Sequence, residues 1–385
     1  MKICGIICEF NPFHNGHAYI LKQTRKLSGC DALVCFMSGN FTQRGDICVV
    51  DKHLRAKHAV LGGADCVLEL PAIFSVAPAE IFASGAVKIL SSIPELDTLA
   101  FGCESGDEKS FIKAAKLLCG ENETFKTALK NKLAEGESYI KSYAFAFESV
   151  GGNAGLLSKP NNILGVEYAK AVLRSGKKIK LLPIKRVGAD YGDRELKRNF
   201  SSASAIRNNL TSPLVKDNVP DFVFGDLSDF TVENKRYSDY LRLMLSRTPT
   251  EKLTEIYGCN DGLENALKSL QSLPFKEIIS TATSKRFTSS RIKRILCANF
   301  LELNKTDCKD FLSSDLYLYP LAVKKESADK VLSALAKSAY PVLTCGSDEK
   351  RLCAAAAKCK ELDDFSYLQW QQITNNPPIN KMIIV

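Results

Sequence analysis

Apolar and polar positions alternate in blocks along the first half of the chain. Residues 3–8 (ICGIIC) are almost wholly apolar and are followed by the turn formers NPFHNG, which predicts a buried parallel strand ending in a loop. Similar runs predict strands at 31–39, 66–70, 97–105 and 177–186, with helices over 18–28, 79–92, 107–149 and 163–175. This alternation predicts an α/β fold with an N-terminal Rossmann-like parallel sheet and helices on both of its faces.

The pattern changes beyond about residue 212. Amphipathic helices follow one another without a strand until a strand, helix, strand pattern over 317–345, which a helix over 347–361 and an irregular tail follow. We therefore predict three domains: 1–212 with the sheet, 213–310 mainly helical, and 311–385 as a small α/β subdomain.

Composition narrows the class of protein. The fourteen cysteines are irregularly spaced, none forms a C-x-x-C pair, and many lie inside apolar runs, which predicts reduced core residues in a cytoplasmic protein. A structural zinc site is the sharper alternative, but it lacks paired ligands, so we predict no metal-ligating residues. No segment approaches the roughly 20 apolar residues of a membrane span. The formal charge of +9 is compatible with a polyanionic partner such as nucleic acid.

Two of the four histidines stand three residues apart, directly after the first predicted strand. Ligands bind outside the carboxyl ends of the strands in such sheets, which directs attention to the loops 10–17, 38–46, 71–78, 101–106 and 185–207. The sequence His14-Asn15-Gly16-His17 fits the H-x-G-H pattern of nucleotidylyltransferases and class I tRNA synthetases, in which imidazoles donate hydrogen bonds to ATP phosphates. A glycine between them leaves room for the nucleotide. The plainer interpretation is a pair of satisfied loop histidines.

A second motif, SSASAIR at 201–207, ends the first predicted domain. It is similar to the pattern I-S-S-T-x-I-R, with Ser202, Ser204 and Arg207 in register, but it departs at Ser201 and Ala203. The alternative interpretation is an ordinary serine cap at the start of a helix. A capped helix with arginine in its first turn also suits a triphosphate.

Six segments together resemble one family. GIICEFNPFHNGHAYIL, MSGNFTQRGD, GADCVLELP, AFGCES, KPNNILGVEYAKA and SSASAIR, in this order and spacing, resemble the bacterial tRNA(Met) cytidine acetate ligases, strongly over about 1–210 and more loosely beyond. The resemblance implies an enzyme that forms acetyl-adenylate from ATP and acetate, with Mg²⁺. It then acetylates the wobble cytidine of elongator tRNA(Met) to N4-acetylcytidine and releases AMP and pyrophosphate. The first domain would bind ATP and the second would bind tRNA.

The resemblance also implies a set of site residues. His14, His17 and Arg207 would be catalytic. The remaining ATP-binding residues would be Ile7, Glu9, Phe10, Asn11, Pro12, Phe13, Asn15, Gly16, Ile20, Gly102, Asn161, Arg186, Ser202 and Ser204. Taken singly, Gly102 also fits a turn, Asn161 a helix cap and Arg186 a solvated strand end.

Two basic clusters contain no acid. Residues 174–186 form the first, and 285–294 (KRFTSSRIKR) form the second. In the second, helical spacing directs the apolar side chains to a core and leaves Arg291 and Arg294 on the other side. We therefore predict RNA contacts for Lys285, Arg286, Arg291 and Arg294, with a merely solvated face as the alternative.

Two other functions stay open on the sequence. The first 210 residues also fit an adenylyltransferase for a small phosphate-bearing metabolite, although the basic helical region argues against it. The other is a non-catalytic RNA-binding protein, against which the intact H-x-G-H argues. The oligomeric state, the basis for selecting one tRNA and the preference for acetate over larger acids are not indicated by the sequence.

Overall fold

A computed structural model of the chain describes residues 1–120, 122–186, 195–196, 199–228 and 230–385. Within these residues the strands form one sheet in the order β5-β4-β1-β2-β3-β6-β7. The strands are β1 (Ile3–Cys8), β2 (Ala32–Ser38), β3 (Cys66–Leu70), β4 (Leu96–Cys103), β5 (Lys180–Lys185), β6 (Pro320–Val323) and β7 (Ile383–Ile384). Strands β1 to β5 are parallel, β6 is antiparallel to β3, and β7 is parallel to β6. This architecture confirms the predicted Rossmann-like α/β fold.

Helices cover the sheet and form most of the second half of the chain. The helices up to residue 208 are α1 (Asn15–Ser28), α2 (Lys52–Leu61), α3 (Ala72–Ser75), α4 (Ala79–Leu90), α5 (Glu108–Cys119), α6 (Glu123–Ala134), α7 (Tyr139–Ser149), α8 (Pro160–Ser175) and α9 (Ala203–Asn208). Those beyond it are α10 (Asp221–Phe224), α11 (Thr231–Arg247), α12 (Thr250–Leu253), α13 (Leu263–Ser269), α14 (Phe275–Ala282), α15 (Ser289–Phe300), α16 (Lys305–Ser313), α17 (Ala328–Leu335) and α18 (Ala354–Thr374).

The C-terminal segment differs locally from its prediction. The predicted strand near 345 is reduced to a single bridge between Leu318 and Val342. A 3-10 turn replaces the predicted helix start at 347, because the Asp348 carboxylate accepts backbone N–H groups from Thr344 and Cys345. Helix α18 begins at Ala354 and ends before Asn375, which adopts a left-handed conformation with φ of 55°.

Strand β6 belongs to the same sheet as the N-terminal strands. It pairs with β3 through Cys66–Val323 and Val67–Ala322, and one apolar cluster joins buried residues of the sheet, of α15 and of α18. The sheet therefore crosses residue 310, while the division into three domains remains a prediction.

The apolar strands explain the cysteine pattern. All fourteen cysteines have free thiols, and ten of them are buried, among them Cys4, Cys35 and Cys66 in the central strands. Such thiols pack as small apolar groups. Across the described residues, no helix is both long and apolar enough to cross a bilayer.

Candidate active site

The two motif histidines lie where β1 gives way to α1. His14 is the N-cap of α1, and its Nδ1 accepts a hydrogen bond from the Gly16 backbone N–H at 3.0 Å. The Nδ1 of His17 accepts in turn from the His14 N–H at 3.3 Å, and the rings stack with centroids 3.6 Å apart. The predicted helix start at residue 18 follows the onset of the helical apolar pattern, which does not reveal that an imidazole caps the helix. The capping moves it to Asn15.

These backbone hydrogen bonds determine the tautomer of both rings. A nitrogen that accepts an N–H carries no proton, so the proton of each neutral imidazole lies on Nε2. Burial, with Arg186 and Arg207 nearby, lowers the pKa of His14 to about 3. Burial, His14 and Arg186 lower the pKa of His17 well below its usual value. Both rings are therefore neutral and each offers an Nε2–H donor.

The glycine between the histidines protects this stack. A Cβ atom at residue 16 would lie 2.8 Å from Cε1 of His14, so a side chain there would push the imidazole away. The room that this glycine leaves for the nucleotide stays a prediction, and within the protein a side chain here would conflict with the ring of His14.

Arg186 follows β5 and is held by residues of β4 and α8. Its Nη1 donates to Oδ1 of Asn161 at 3.4 Å, and Asn161 Nδ2 donates to Glu104 Oε1 at 2.6 Å. Glu104 comes directly after β4 and also accepts the Asn161 and Asn162 N–H groups. Gly102 faces this group, because a Cβ there would lie 3.2 Å from Ile20 and 3.5 Å from Arg186. The structure thus brings Gly102, Asn161 and Arg186 together.

The SSASAIR segment starts helix α9 beside the same strand end. Ser202 caps the helix by accepting from the Ala205 N–H at 3.0 Å. Arg207 donates from Nη1 to the Asn11 carbonyl at 2.6 Å and from Nη2 to Ser204 Oγ at 3.3 Å. The capping interpretation is confirmed for Ser202, and Ser204 contacts Arg207. The phosphate interpretation of this motif stays a prediction.

A cleft opens between these elements. The described lining consists of His14, Gly16, His17, Ile20, Arg186, Phe200 and Ser201. Phe200 and Ser201 were not predicted. Ser201 belongs to the SSASAIR motif but departs from the family pattern there, and its N–H is held by Asn218 Oδ1 at 2.8 Å. Residues 187–194 and 197–198 of the predicted loop 185–207 lie outside the described residues.

Several predicted ATP-binding residues shape the loop from within the protein. The side chains of Ile7, Phe10, Pro12 and Phe13 are buried. Asn11 is also buried and spans to the next loop, donating to the Ile47 carbonyl and accepting from the Val49 N–H. These residues are placed to hold the backbone of the loop.

Two further predicted residues at this loop make hydrogen bonds within the protein. Asn15 Nδ2 donates to the carbonyls of Asp217 and Asn199. Glu9 Oε1 accepts from the Gln43 N–H at 2.7 Å, and burial raises the pKa of its carboxyl. Both side chains therefore tie the loop to neighbouring segments.

The cleft is suited to phosphates more than to a protein-bound metal. Its described lining supplies imidazole donors and a guanidinium but no carboxylate. Mg²⁺ is usually held by one or two carboxylates together with substrate phosphates. Because the described lining has no carboxylate, any magnesium bound here would be held mainly by the phosphates of the nucleotide.

The predicted RNA-binding residues fall into two groups. Lys285 and Arg286 are exposed, in the turn before α15. The expected solvent orientation of the other two is wrong. Arg291 donates to the Gly258 carbonyl at 2.8 Å and to Asn260, and Arg294 donates to the Gln43 carbonyl at 3.3 Å. Burial lowers the pKa of Arg294 to about 10. Loops distant in sequence cover this side of the helix.

Known proteins share both the sequence and the fold. The family model described as HIGH Nucleotidyl Transferase matches residues 1–377. A tRNA(Met) cytidine acetate ligase of Caldicellulosiruptor saccharolyticus is 39% identical over 328 residues, covering 83% of this chain and 81% of the relative. One of Acetivibrio thermocellus is 34% identical over 405 aligned positions, covering 99% and 97%.

Two solved structures of Thermotoga maritima TmcAL align over the full length of both chains at 28% identity. The apo form superposes with a TM-score of 0.91. The form bound with alpha-thio ATP superposes with a TM-score of 0.86. The similarity thus covers both the sheet and the helical half of the chain.

Proposed function

Since the chain belongs to the HIGH nucleotidyl transferases and, with its relatives, to the tRNA(Met) cytidine acetate ligases, we propose that it acetylates the wobble cytidine of elongator tRNA(Met) with ATP and acetate. An enzyme of this ligase family needs a site that stabilises charge on the phosphates of ATP. The solved relative bound with alpha-thio ATP supports a nucleotide in the same fold.

The single observation that carries the proposal is the fixed tautomer of the histidine pair. Both Nδ1 atoms are occupied by backbone N–H groups, so each neutral ring offers Nε2–H at the N-terminus of α1. When an acetate oxygen attacks the α-phosphorus, the bond to the bridging oxygen breaks and negative charge moves onto pyrophosphate. Neutral Nε2–H donors at this place stabilise that charge. Because the rings carry no charge of their own, they need no acidic partner in the protein.

The second step needs positioning more than acid–base chemistry. The exocyclic amine of cytidine attacks the acetyl carbonyl of acetyl-adenylate, AMP leaves with the electron pair, and the amine gives up one proton. Cytosine amines are weak nucleophiles, so holding the base against the anhydride supplies much of the rate. Magnesium, when bound with ATP, would add charge neutralisation on the phosphates.

The proposed RNA surface combines exposed cations from both basic clusters. Lys285 and Arg286 precede α15, and Lys177, Lys178 and Lys180 lie before or on the edge strand β5, which leads to Arg186 in the cleft. Exposed Lys and Arg side chains contact RNA phosphates without reading sequence. Arg291 and Arg294 are not included in this surface, because their guanidinium groups donate to the Gly258 and Gln43 carbonyls.

Two measurements on the full chain test the proposal. Exchange of labelled pyrophosphate into ATP should require acetate and should not require tRNA. With tRNA(Met) added, nucleoside analysis should find N4-acetylcytidine. Exchange that depends on a small phosphate-bearing acceptor and not on acetate would favour the adenylyltransferase alternative, and ATP binding without any exchange would refute catalysis.

A further inference from the structure

The segment MSGNFTQRGD contains a tight loop at residues 42–46, to which the proposed function gives no role. In this 42–46 loop, the Thr42 N–H donates to the Asp46 carbonyl at 3.0 Å and the Gly45 N–H to the Thr42 carbonyl at 2.8 Å. The Thr42 hydroxyl donates to the Asp46 carbonyl and accepts from the Asp46 N–H. The loop is therefore a closed unit that carries the Asp46 side chain in a set direction.

The carboxylate of Asp46 lies between the phosphate motif and the helical region. Its Oδ2 is 3.7 Å from Nη2 of Arg207, and its Oδ1 accepts from Nζ of Lys293 on α15 at 3.1 Å. The side chains of Asp46 and Arg207 are 28% and 21% exposed, so water screens the pair less than it would at the surface. One acid thus links Arg207 to a helix that lies more than eighty residues further along the chain.

The 42–46 loop packs closely against α15. The position of Asp46 therefore depends on the position of that helix. Gly45 has φ of 73°, and a Cβ there would lie 2.6 Å from the Lys293 carbonyl oxygen and 2.8 Å from the Arg294 Cα. Tyr237 of α11 donates from its hydroxyl to the Gly45 carbonyl at 2.8 Å. Only glycine permits both the conformation and the close approach.

We propose that Asp46 is a positioning residue that orients Arg207 toward the phosphates of ATP and makes this orientation depend on helix α15. The inference rests on the proposed function for the role of Arg207. In the free protein Arg207 is held by Asn11, Ser204 and Asp46, which surround its guanidinium with acceptors. Such a preset guanidinium needs less reorganisation when charge develops on the leaving pyrophosphate.

The kinetic consequence differs for binding and for chemistry. Asp46→Asn keeps the size of the side chain and removes its charge. Loss of an acid next to Arg207 does not weaken the attraction of the guanidinium for ATP in the ground state, whereas loss of its orientation acts in the transition state. We expect kcat for acetate-dependent pyrophosphate exchange to fall about 10-fold, with the KM for ATP within about 3-fold of the wild type.

Three further variants distinguish positioning from a structural role. Asp46→Glu retains the charge and should keep more than a third of the wild-type kcat. Asp239→Asn breaks an ion pair of equal N–O length, 3.7 Å to Arg242 within α11, which involves neither Arg207 nor the motif histidines, and should change neither parameter. Lys293→Met should lower kcat less than Asp46→Asn, and the double variant should be no slower than Asp46→Asn alone, since both changes act through one carboxylate.

A readout that does not require catalysis completes the experiment. Side-chain NMR of the Arg207 guanidinium in the folded full chain should show slowly exchanging Nη protons with restricted rotation in the wild type, because both Nη groups are held, and loss of that restriction in Asp46→Asn. No exchange by the wild type would refute the proposed function, and the NMR comparison would still test Asp46. Equal spectra, or a kcat unchanged relative to Asp239→Asn, or an equal loss in Asp46→Asn and Asp46→Glu, would overturn the inference.

Discussion

Two polar sites occupy the same carboxyl edge of the sheet and treat charge in opposite ways. Above β1, β4 and β5, two neutral imidazoles and Arg186 line an open cleft. Beyond β2 and β3, a small pocket is lined by Lys52 and Glu69, whose buried side chains pair at 2.7 Å. The first site leaves its donors open to the cleft, where the proposed function places ATP, whereas the second satisfies its charges within the protein.

The second site acts as a joint between the sheet and the C-terminal helix. Asp363 of α18 accepts from the Ala72 N–H at 2.7 Å and from the Tyr317 hydroxyl. The Trp370 indole of the same helix donates to the Cys48 carbonyl at 2.9 Å. These hydrogen bonds hold α18 against the sheet beside the Lys52–Glu69 ion pair, and removal of one partner of that buried pair leaves an uncompensated charge. The comparison therefore predicts loss of stability from one site and loss of catalysis from the other.

The largest effect is expected at the joint. Lys52→Met removes one partner of a buried ion pair and leaves Glu69 without its cation, so the free energy of unfolding should fall by about 3–5 kcal/mol. Chemical denaturation of the purified protein measures this. As a matched control, Lys252→Met breaks the exposed pair with Glu255 and should cost at most about 1 kcal/mol. Equal losses of unfolding free energy in the two variants would contradict a larger stabilising role for the buried pair.

The cleft should show the reverse behaviour. His14→Asn keeps an acceptor at the N-cap but removes the Nε2–H donor, so adenylate formation should fall by roughly 10²-fold while stability changes by less than about 1 kcal/mol. His17→Ala should show a similar kinetic loss. His14→Ala adds about 1 kcal/mol of destabilisation through the lost cap. Pyrophosphate exchange and denaturation on the same samples separate the two effects, and near-normal turnover in His14→Asn would contradict the phosphate role.

The two sites should also respond to pH with opposite signs. Burial and the nearby Glu69 raise the pKa of Asp363 to about 7, so its stabilising neutral form is retained at acidic pH and lost as the pH rises toward 7. His14 has its pKa lowered to about 3, so its contribution is present above pH 6.5 and lost as the pH falls toward 3.

Asp363→Asn isolates the first of these dependences. Between pH 4 and 7, the stability of the wild type relative to this variant should decrease with pH, with a slope approaching about 1.4 kcal/mol per unit. The stability of the wild type relative to the His14→Asn variant should increase with pH between pH 3 and 6.5. Denaturation curves at half-unit intervals give both differences, and parallel curves for wild type and Asp363→Asn would rule out a titrating Asp363.

The sheet could be predicted from local sequence because its strands are buried on both faces. The predicted bounds of β1 and β3 agree with Ile3–Cys8 and Cys66–Leu70, since a continuous apolar run ends where turn residues begin. Strand β6 escaped assignment to this sheet, because antiparallel pairing with β3 depends on a partner some 250 residues away.

The motif residues of the site could be predicted from the sequence, whereas the residues that hold them in place could not. His14, His17 and Arg186 follow strand ends and so share one edge of the sheet. Glu104 holds Asn161 across 57 residues, and Arg294 faces the loop at Gln43 across 251 residues. Helical periodicity separates the apolar face of α15, which packs into the core, from its polar face. It contains no information about which loop covers the polar face.

The smallest effect concerns the RNA surface and refines the contrast between exposed and covered cations. Reversing the exposed pair Lys285 and Arg286 to Glu should weaken tRNA binding and reduce the logarithmic salt slope by about 0.7–0.9 for each RNA phosphate that the protein no longer neutralises. Acetate-dependent pyrophosphate exchange without tRNA should be unchanged. Reversal of Lys177 and Lys178, also exposed and before β5, provides the parallel test of the first cluster.

The covered pair Arg291 and Arg294 requires a milder change. Reversal of their charge would disrupt the bonds to Gly258 and Gln43, so lysine substitutions, which keep the charge but lose the forked geometry, are the appropriate comparison. We expect these to lower stability by about 1 kcal/mol and to leave the salt slope unchanged. If the lysine variants alter the slope and the Lys285 and Arg286 reversals do not, the RNA contact lies on the helix itself and the turn before it is merely solvated.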